Sequence, residues 1–213
     1  LDIKNLQISV EDRSVLDGFD LQIKEGQVLA LLGPNGSGKS SIAMALLGNP
    51  TYKVAATSRI EFLGKDLKKL SVDERAKAGL YIAWQNPVSI PGVTVFNFCK
   101  SITTQTGTLV EFKKYLEDLL VKVGLPKEYI GRGVNEGFSG GERKRLEMLQ
   151  LLLLSPKLAV LDEVDSGLDT KGVQILAEVV NELKAKGTSF LLITHNTKLT
   201  DKVKVDQVCT TTN

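Results

Sequence analysis

Gly33-Pro34-Asn35-Gly36-Ser37-Gly38-Lys39-Ser40 matches G-x-x-x-x-G-K-[ST] at every fixed position. The run before it, Gln27-Val28-Leu29-Ala30-Leu31-Leu32, reads as a buried strand, and Ser41 to Leu47 reads as a helix. Strand, loop and helix in that order are the setting in which this motif captures an anion. The glycines let successive backbone N–H groups turn inward onto a phosphate at a helix N-terminus. Lys39 supplies a mobile positive charge for β- and γ-phosphates, and the Ser40 hydroxyl is placed to ligate Mg2+.

Two further stretches extend this reading. Lys157-Leu158-Ala159-Val160-Leu161-Asp162-Glu163 is an apolar strand ending in two carboxylates. At the C-terminal end of a strand buried on both faces, Asp162 is placed to hold Mg2+ through water and Glu163 to orient or deprotonate an attacking water. Alone this pattern is weak; with the phosphate loop it is strong. In Phe138-Ser139-Gly140-Gly141-Glu142, Ser139 and Glu142 form a capping box on a helix running to about Leu154. The glycines leave the amides bare at that helix's positive end, which makes a second anion-binding terminus. One triphosphate uses both ends only if the second comes from another molecule.

The rest of the chain alternates strands with helices. Ile3, Leu6, Ile8 and Val10 predict a strand over residues 2–10, and Phe19, Leu21 and Ile23 a second; with residues 27–32 they suggest a β-rich N-terminal layer. Strands are also expected at 59–63, 80–84 and 189–194, and helices at 71–79 and 170–186. The prolines and glycine of Gln85 to Val93 predict no regular structure there. Residues 94–131 read as helical, with Phe112, Tyr115, Leu116, Leu119, Leu120 and Val123 on an apolar face. The expected class is α/β: a mainly parallel core sheet, an N-terminal antiparallel β layer and an inserted helical subdomain. Residues 1–93 and 151–213 would form the core and 94–150 the subdomain.

At 213 residues and net charge +2, the chain buries a substantial core and shows neither a nucleic-acid footprint nor a polybasic membrane patch. The longest apolar run, Leu149 to Leu154, is too short to span a bilayer, and no charged-then-apolar leader opens the chain. A soluble cytoplasmic protein without direct membrane contact is expected. Cys99 and Cys209 are isolated, which suggests packing residues rather than a disulfide or zinc site.

Ser139-Gly140-Gly141-Glu142 resembles the signature motif of the ATP-binding cassette family, and the other landmarks follow in family order. Gly33 to Ser40 matches the Walker A motif of these P-loop NTPases, Gln85 the Q-loop, and Lys157 to Asp162 Walker B. Glu163 matches the catalytic glutamate, Ser166-Gly167-Leu168-Asp169 the D-loop and His195 the switch histidine. The form Asp165-Ser166-Gly167-Leu168-Asp169 is similar to the cassettes that serve the SUF iron–sulfur cluster assembly machinery, where transport cassettes usually read Pro-Thr-Ser-x-Leu-Asp. Gln85-Asn86-Pro87-Val88-Ser89-Ile90-Pro91-Gly92-Val93 and Val134-Asn135-Glu136-Gly137 point the same way.

What the resemblance implies is ATP hydrolysis in a head-to-tail homodimer. Phosphates and Mg2+ would sit on Gly33 to Ser41 with Asp162 and Gln85, while Ser139, Gly141 and Asp169 approach from the partner copy. Glu163 would handle the water, His195 the γ-phosphate, with Lys39 and Gln85 assisting catalysis. Lys144, just after the signature, is placed to engage Glu163 within one molecule. The implied receiver of the motion is a scaffold pair like SufB and SufD, docked around Gln85 to Val93, with Ile90, Pro91, Val93 and Phe96 as candidate contacts. Two alternatives stay open: a membrane transporter's nucleotide-binding subunit, and a nucleotide switch that does not hydrolyse. Where the family often places an adenine-stacking aromatic this chain has Val10, which predicts modest base selectivity.

Overall fold

A tight hairpin opens the chain. In the computed structural model, which describes residues 1–83, 87–103, 107–194 and 197–211, β1 (Asp2–Val10) and β2 (Arg13–Gln22) pair antiparallel. Val10 faces Arg13 across a two-residue turn in which Glu11 (φ 47) and Asp12 (φ 62) are both left-handed. That is the conformation a right-twisted hairpin requires. It is reached without glycine or asparagine, so β2 begins well before the alternation from Phe19 announces it and ends short of Ile23. A register shift between Ile3 and Leu6, with left-handed Asn5 (φ 49) between them, lets both side chains bury fully.

β3 (Val28–Leu32) leads through the glycine loop into α1 (Lys39–Leu47). β4 (Lys53–Val54), β5 (Arg59–Phe62) and β6 (Lys65–Asp66) follow, then α2 (Val72–Lys77), opened by the Ser71–Glu74 capping box, and β7 (Leu80–Ala83). β8 (Ile90–Thr94), α3 (Val95–Ile102), α4 (Leu109–Lys122), a 3-10 turn (Lys127–Gly131) and β9 (Gly133–Val134) lie before α5 (Gly140–Leu154). β10 (Leu158–Asp162), α6 (Thr170–Ala185), β11 (Ser189–Ile193), α7 (Thr197–Thr200) and β12 (Gln207–Thr210) follow.

Among the described residues the strands form an antiparallel layer ordered β2-β1-β5-β6, with β4 also on β1, and a parallel sheet ordered β12-β3-β11-β10-β7. Period-two alternation divides the parallel sheet's side chains between two cores. Leu29, Leu31, Leu158, Val160, Leu191 and Ile193 join α1 and the antiparallel layer on one face. Val28, Ala159, Leu161, Phe190 and Leu192 pack against α4, α5 and α6 on the other. β10 and β11 are buried throughout. A parallel sheet so covered opens its chemistry only at its C-terminal edge, where Gly33, Glu163 and Thr194 follow their strands.

Three expectations are corrected. Residues 27–32 do not join the N-terminal layer: β3 sits between β12 and β11 because its continuous apolar run must be covered on both faces. Residues 85–93 are not wholly irregular. β8 pairs with β9 through Ile90–Val134 and Thr94–Gly133, and the register shift between those pairs accommodates Pro91 and Gly92, as edge strands and bulges permit. Among the described residues of 94–131 there are two helices and a 3-10 turn rather than one continuous helix, although Phe112, Leu116, Leu119, Leu120 and Val123 are buried as their spacing predicts. β12 has too little hydrophobic alternation to stand out before folding.

The helix that follows the phosphate loop is locked at its far end by Arg75. This buried guanidinium donates to the carbonyl oxygens of Ala45 (3.0 Å), Leu46 (2.7 Å), Leu67 (2.6 Å) and Leu70 (3.0 Å). Two of these belong to the last turn of α1, where Ala45 also accepts the Gly48 N–H (3.1 Å) and the helix dipole favours a cation. Arg75→Met should remove all four of these charge-assisted hydrogen bonds, leaving Ala45 and Leu67 only their main-chain donors, at a cost of about 3 kcal/mol. In a chain of this size the melting temperature should fall by roughly 6–12 °C. A calorimetric scan that finds no change would remove this role.

Candidate functional site

The phosphate loop is shaped by what surrounds its glycines. Gly38 holds φ 84 as the N-cap of α1, and a Cβ there would lie 2.8 Å from the Val15 carbonyl oxygen. At Gly33 a Cβ would strike Thr211 and come within 2.9 Å of Ser37 Oγ. Only glycine fits either position, so β2 and the residue after β12 press directly on the loop. Ser37 is buried, with Oγ donating to the Pro34 carbonyl (2.9 Å) and 2.5 Å from Thr211 Oγ1. Lys39, 5% exposed, donates from Nζ to the carbonyl oxygens of Gly33 (2.9 Å) and Pro34 (2.7 Å). The ammonium lies along the loop that a phosphate would occupy, bonded to groups that an anion would outbid.

Across the sheet edge, Ser40 Oγ donates to Asp162 Oδ1 at 3.1 Å. Folding thus joins the loop's last residue to the carboxylate at the end of β10. Glu163 follows, left-handed at φ 51, with its N–H donating to the Ile193 carbonyl (2.9 Å). Lys144 reaches this turn from α5 and donates to the main-chain carbonyls of Glu163 (3.3 Å) and Ser166. Burial pushes the Lys144 ammonium below its usual range, opposed by the carboxylates of Asp165, Glu147 and Glu163. Gln85 and His195 lie outside the described residues.

Ser139 N-caps α5 as expected, its N–H donating to Glu142 Oε2 (2.7 Å) and the Glu142 N–H donating back to its Oγ (3.3 Å). Gly140 and Gly141 face open space. Sequence reading missed what supports this turn. The Tyr129 hydroxyl donates to Glu142 Oε1 (2.6 Å), which with the Ser139 N–H holds the Glu142 carboxyl below its usual range. The Arg132 guanidinium lies over both the Tyr129 and Phe138 rings, 4.3 and 4.6 Å from their centroids. Ser139 therefore makes its hydrogen bonds within the first turn of α5, where Gly141 presents open space. Asp169 N-caps α6 through the Gly172 N–H (2.7 Å) and pairs with Arg145 of α5 (3.1 Å), so the D-loop and signature helices are tied together.

Val10 ends β1 half-buried. Phe96 is partly buried and packs edge-on against Phe112, 5.7 Å between centroids, while Val88 is 76% exposed. Burial pushes the Cys99 thiol up to about 12, which keeps it protonated and inert. Among the described residues no helix is long and apolar enough to cross a membrane, and no group of three or more metal-binding side chains occurs.

A family model described as ABC transporter matches residues 16–166. The probable ATP-dependent transporter SufC of Escherichia coli strain K12 is 41% identical over 98% of this chain and 87% of its own length. A probable ABC transporter ATP-binding protein of Streptococcus pyogenes serotype M3 is 41% identical over 98% and 83%. Vegetative protein 296 of Bacillus subtilis strain 168 is 39% identical over 98% and 82%. Among solved structures, a dimeric bacterial ABC transporter cassette is similar with a TM-score of 0.80 at 20% identity, over 95% of this chain and 91% of the other. A nucleotide-free ATP-binding cassette from an ABC transporter gives 0.77 at 24%, over 99% and 86%.

Proposed function

The chain belongs to the ABC transporter family of ATP-binding cassettes and is an ABC ATPase, and from that premise we propose that it is the motor of SUF iron–sulfur cluster assembly. It would close on ATP as a head-to-tail pair and move a scaffold pair like SufB and SufD in the cytoplasm. The observation that carries the catalytic reading is the 3.1 Å contact between Ser40 and Asp162, which joins the phosphate loop to the residue that precedes Glu163. The Asp165 to Asp169 turn, with the similarity to SufC, carries the choice of machine.

The residues divide the work. Amides of Gly33 to Ser41 and the Lys39 ammonium take the phosphates. Ser40 and Asp162 present hydroxyl and carboxylate oxygens, the donor set a hard divalent cation prefers, and with Gln85 they would hold Mg2+. When bound, the cation neutralises charge on the phosphate oxygens. Glu163 orients the attacking water and accepts its proton, and His195 contacts the γ-phosphate. Ser139, Gly141 and Asp169 act on the partner's nucleotide, and closing the pair excludes water.

We retain the division into a core (1–93 and 151–213) and a subdomain (94–150). α5 crosses that boundary, so the helix bearing the signature at one end is anchored in the core at the other. Of the candidate contacts Ile90, Pro91, Val93 and Phe96 only Pro91 is exposed, and Val88, 76% exposed, adds an apolar group to the same stretch. Val88→Asp should weaken capture of a SufB/SufD-like pair at least about tenfold in a pull-down, since a buried charge at an interface costs more than 1.4 kcal/mol. Full retention would count against this surface. The name of the Streptococcus relative favours a transporter subunit instead, and co-purification with membranes would support that reading.

A further inference from the structure

Asp165 and Lys144 are buried charged groups, 4% and 8% exposed, that neither bind phosphate nor touch the attacking water in this scheme. They grip the turn after β10 from two directions. From α5, Lys144 holds the carbonyls of Glu163 and Ser166. From inside the turn, Asp165 Oδ2 accepts the Thr194 hydroxyl at 2.8 Å, in a contact buried at both ends. The turn needs such restraint. Glu163 is held at φ 51, a region that costs a residue with a side chain energy unless its surroundings impose it.

The Thr194 contact reaches across from β11. One residue earlier, the Ile193 carbonyl accepts the Glu163 N–H at 2.9 Å. Successive residues at the end of β11 thus hold Glu163 by its backbone and Asp165 by its side chain. Thr194 is followed in the chain by His195. We propose that Asp165 and Thr194 are a positioning pair, locking the Glu163 turn to the end of β11 so that Glu163 keeps its place at the C-terminal edge of the sheet. The inference rests on the reading of Glu163 as the group that handles water. A hydroxyl bonded to a carboxylate away from solvent is among the stronger hydrogen bonds available, and a displacement of about 1 Å at a reacting group costs up to about a hundredfold in rate.

The test compares Thr194→Val with Thr194→Ser in the full chain, reading steady-state hydrolysis and, separately, ATP binding by titration calorimetry. Thr194→Val should lower kcat about tenfold while KM and ATP affinity stay within about twofold of the parent. Thr194→Ser keeps the hydroxyl and should stay within about twofold in every readout. Parental kcat in Thr194→Val, or equal losses in both variants, would overturn the pair. Should Thr194→Val not fold, Asp165→Asn, which weakens the bond and keeps its shape, should lower kcat at constant KM, and an unchanged kcat would overturn the proposal. Glu163→Gln serves as the control. If it hydrolyses ATP like the parent, the premise and the pair fall together; if it is inactive while Thr194→Val is parental, the pair alone falls.

Discussion

Glu163→Gln should lower ATP turnover by at least about a hundredfold and leave ATP binding intact, the range expected when a general base is lost. The substitution keeps shape and hydrogen-bonding length while removing the ability to accept a proton. Glu163 does not belong to the phosphate loop, and its backbone is held by the Ile193 carbonyl and by Lys144 through contacts that the side-chain amide leaves untouched. Binding and chemistry should therefore separate. Phosphate release measures the loss, and calorimetry should show ATP affinity within about twofold of the parent. In the proposed cycle hydrolysis resets the closed pair, so light scattering with ATP should find dimers accumulating in this variant. Parental turnover would remove Glu163 from its assigned role.

Lys39→Ala should have the opposite signature, a loss of binding. The ammonium is 5% exposed and donates to two loop carbonyls. In the nucleotide complex the same donors are expected to move to the phosphates. A hydrogen bond to a charged partner contributes about 1.5–3 kcal/mol, so ATP affinity should fall roughly ten- to a hundredfold. Lys39→Arg should not restore it: a planar fork cannot follow the curve of the loop as a compact ammonium does. Calorimetric titration checks both variants. ATP binding by Lys39→Ala at the parental affinity would mean that the ammonium serves the loop and not the ligand.

The difference between these two residues also explains what was legible before folding. Lys39 acts within a segment whose neighbours are adjacent in sequence, and its partners Gly33 and Pro34 lie in the same eight-residue motif. The capping boxes at Ser71, Thr108 and Ser139 close over three residues each, and the first and last are readable as such. Misreadings occurred where the deciding partner is distant or the local chemistry is silent. The Glu11-Asp12 turn is left-handed without the residues that usually signal it, and β8 exists because β9 lies beside it. Phe96 was an ambiguous surface candidate until Phe112 packed against it.

By itself the sequence determined the chemistry of this protein: a phosphate loop, a carboxylate pair ending a buried strand, and a second helix terminus with bare amides. Each is a short contiguous pattern that residue type and spacing make readable before any distant partner is known. Tertiary structure alone decided that Ser40 meets Asp162, that Tyr129 braces Glu142, that Arg145 ties Asp169 to α5 and that Thr194 holds Asp165. The Thr194–Asp165 contact depends on the parallel register of β10 against β11, and the Tyr129 and Arg145 contacts on how α5 packs beside its neighbours. Register is set by the packing of two apolar cores at once, a property of the whole sheet that no single segment carries.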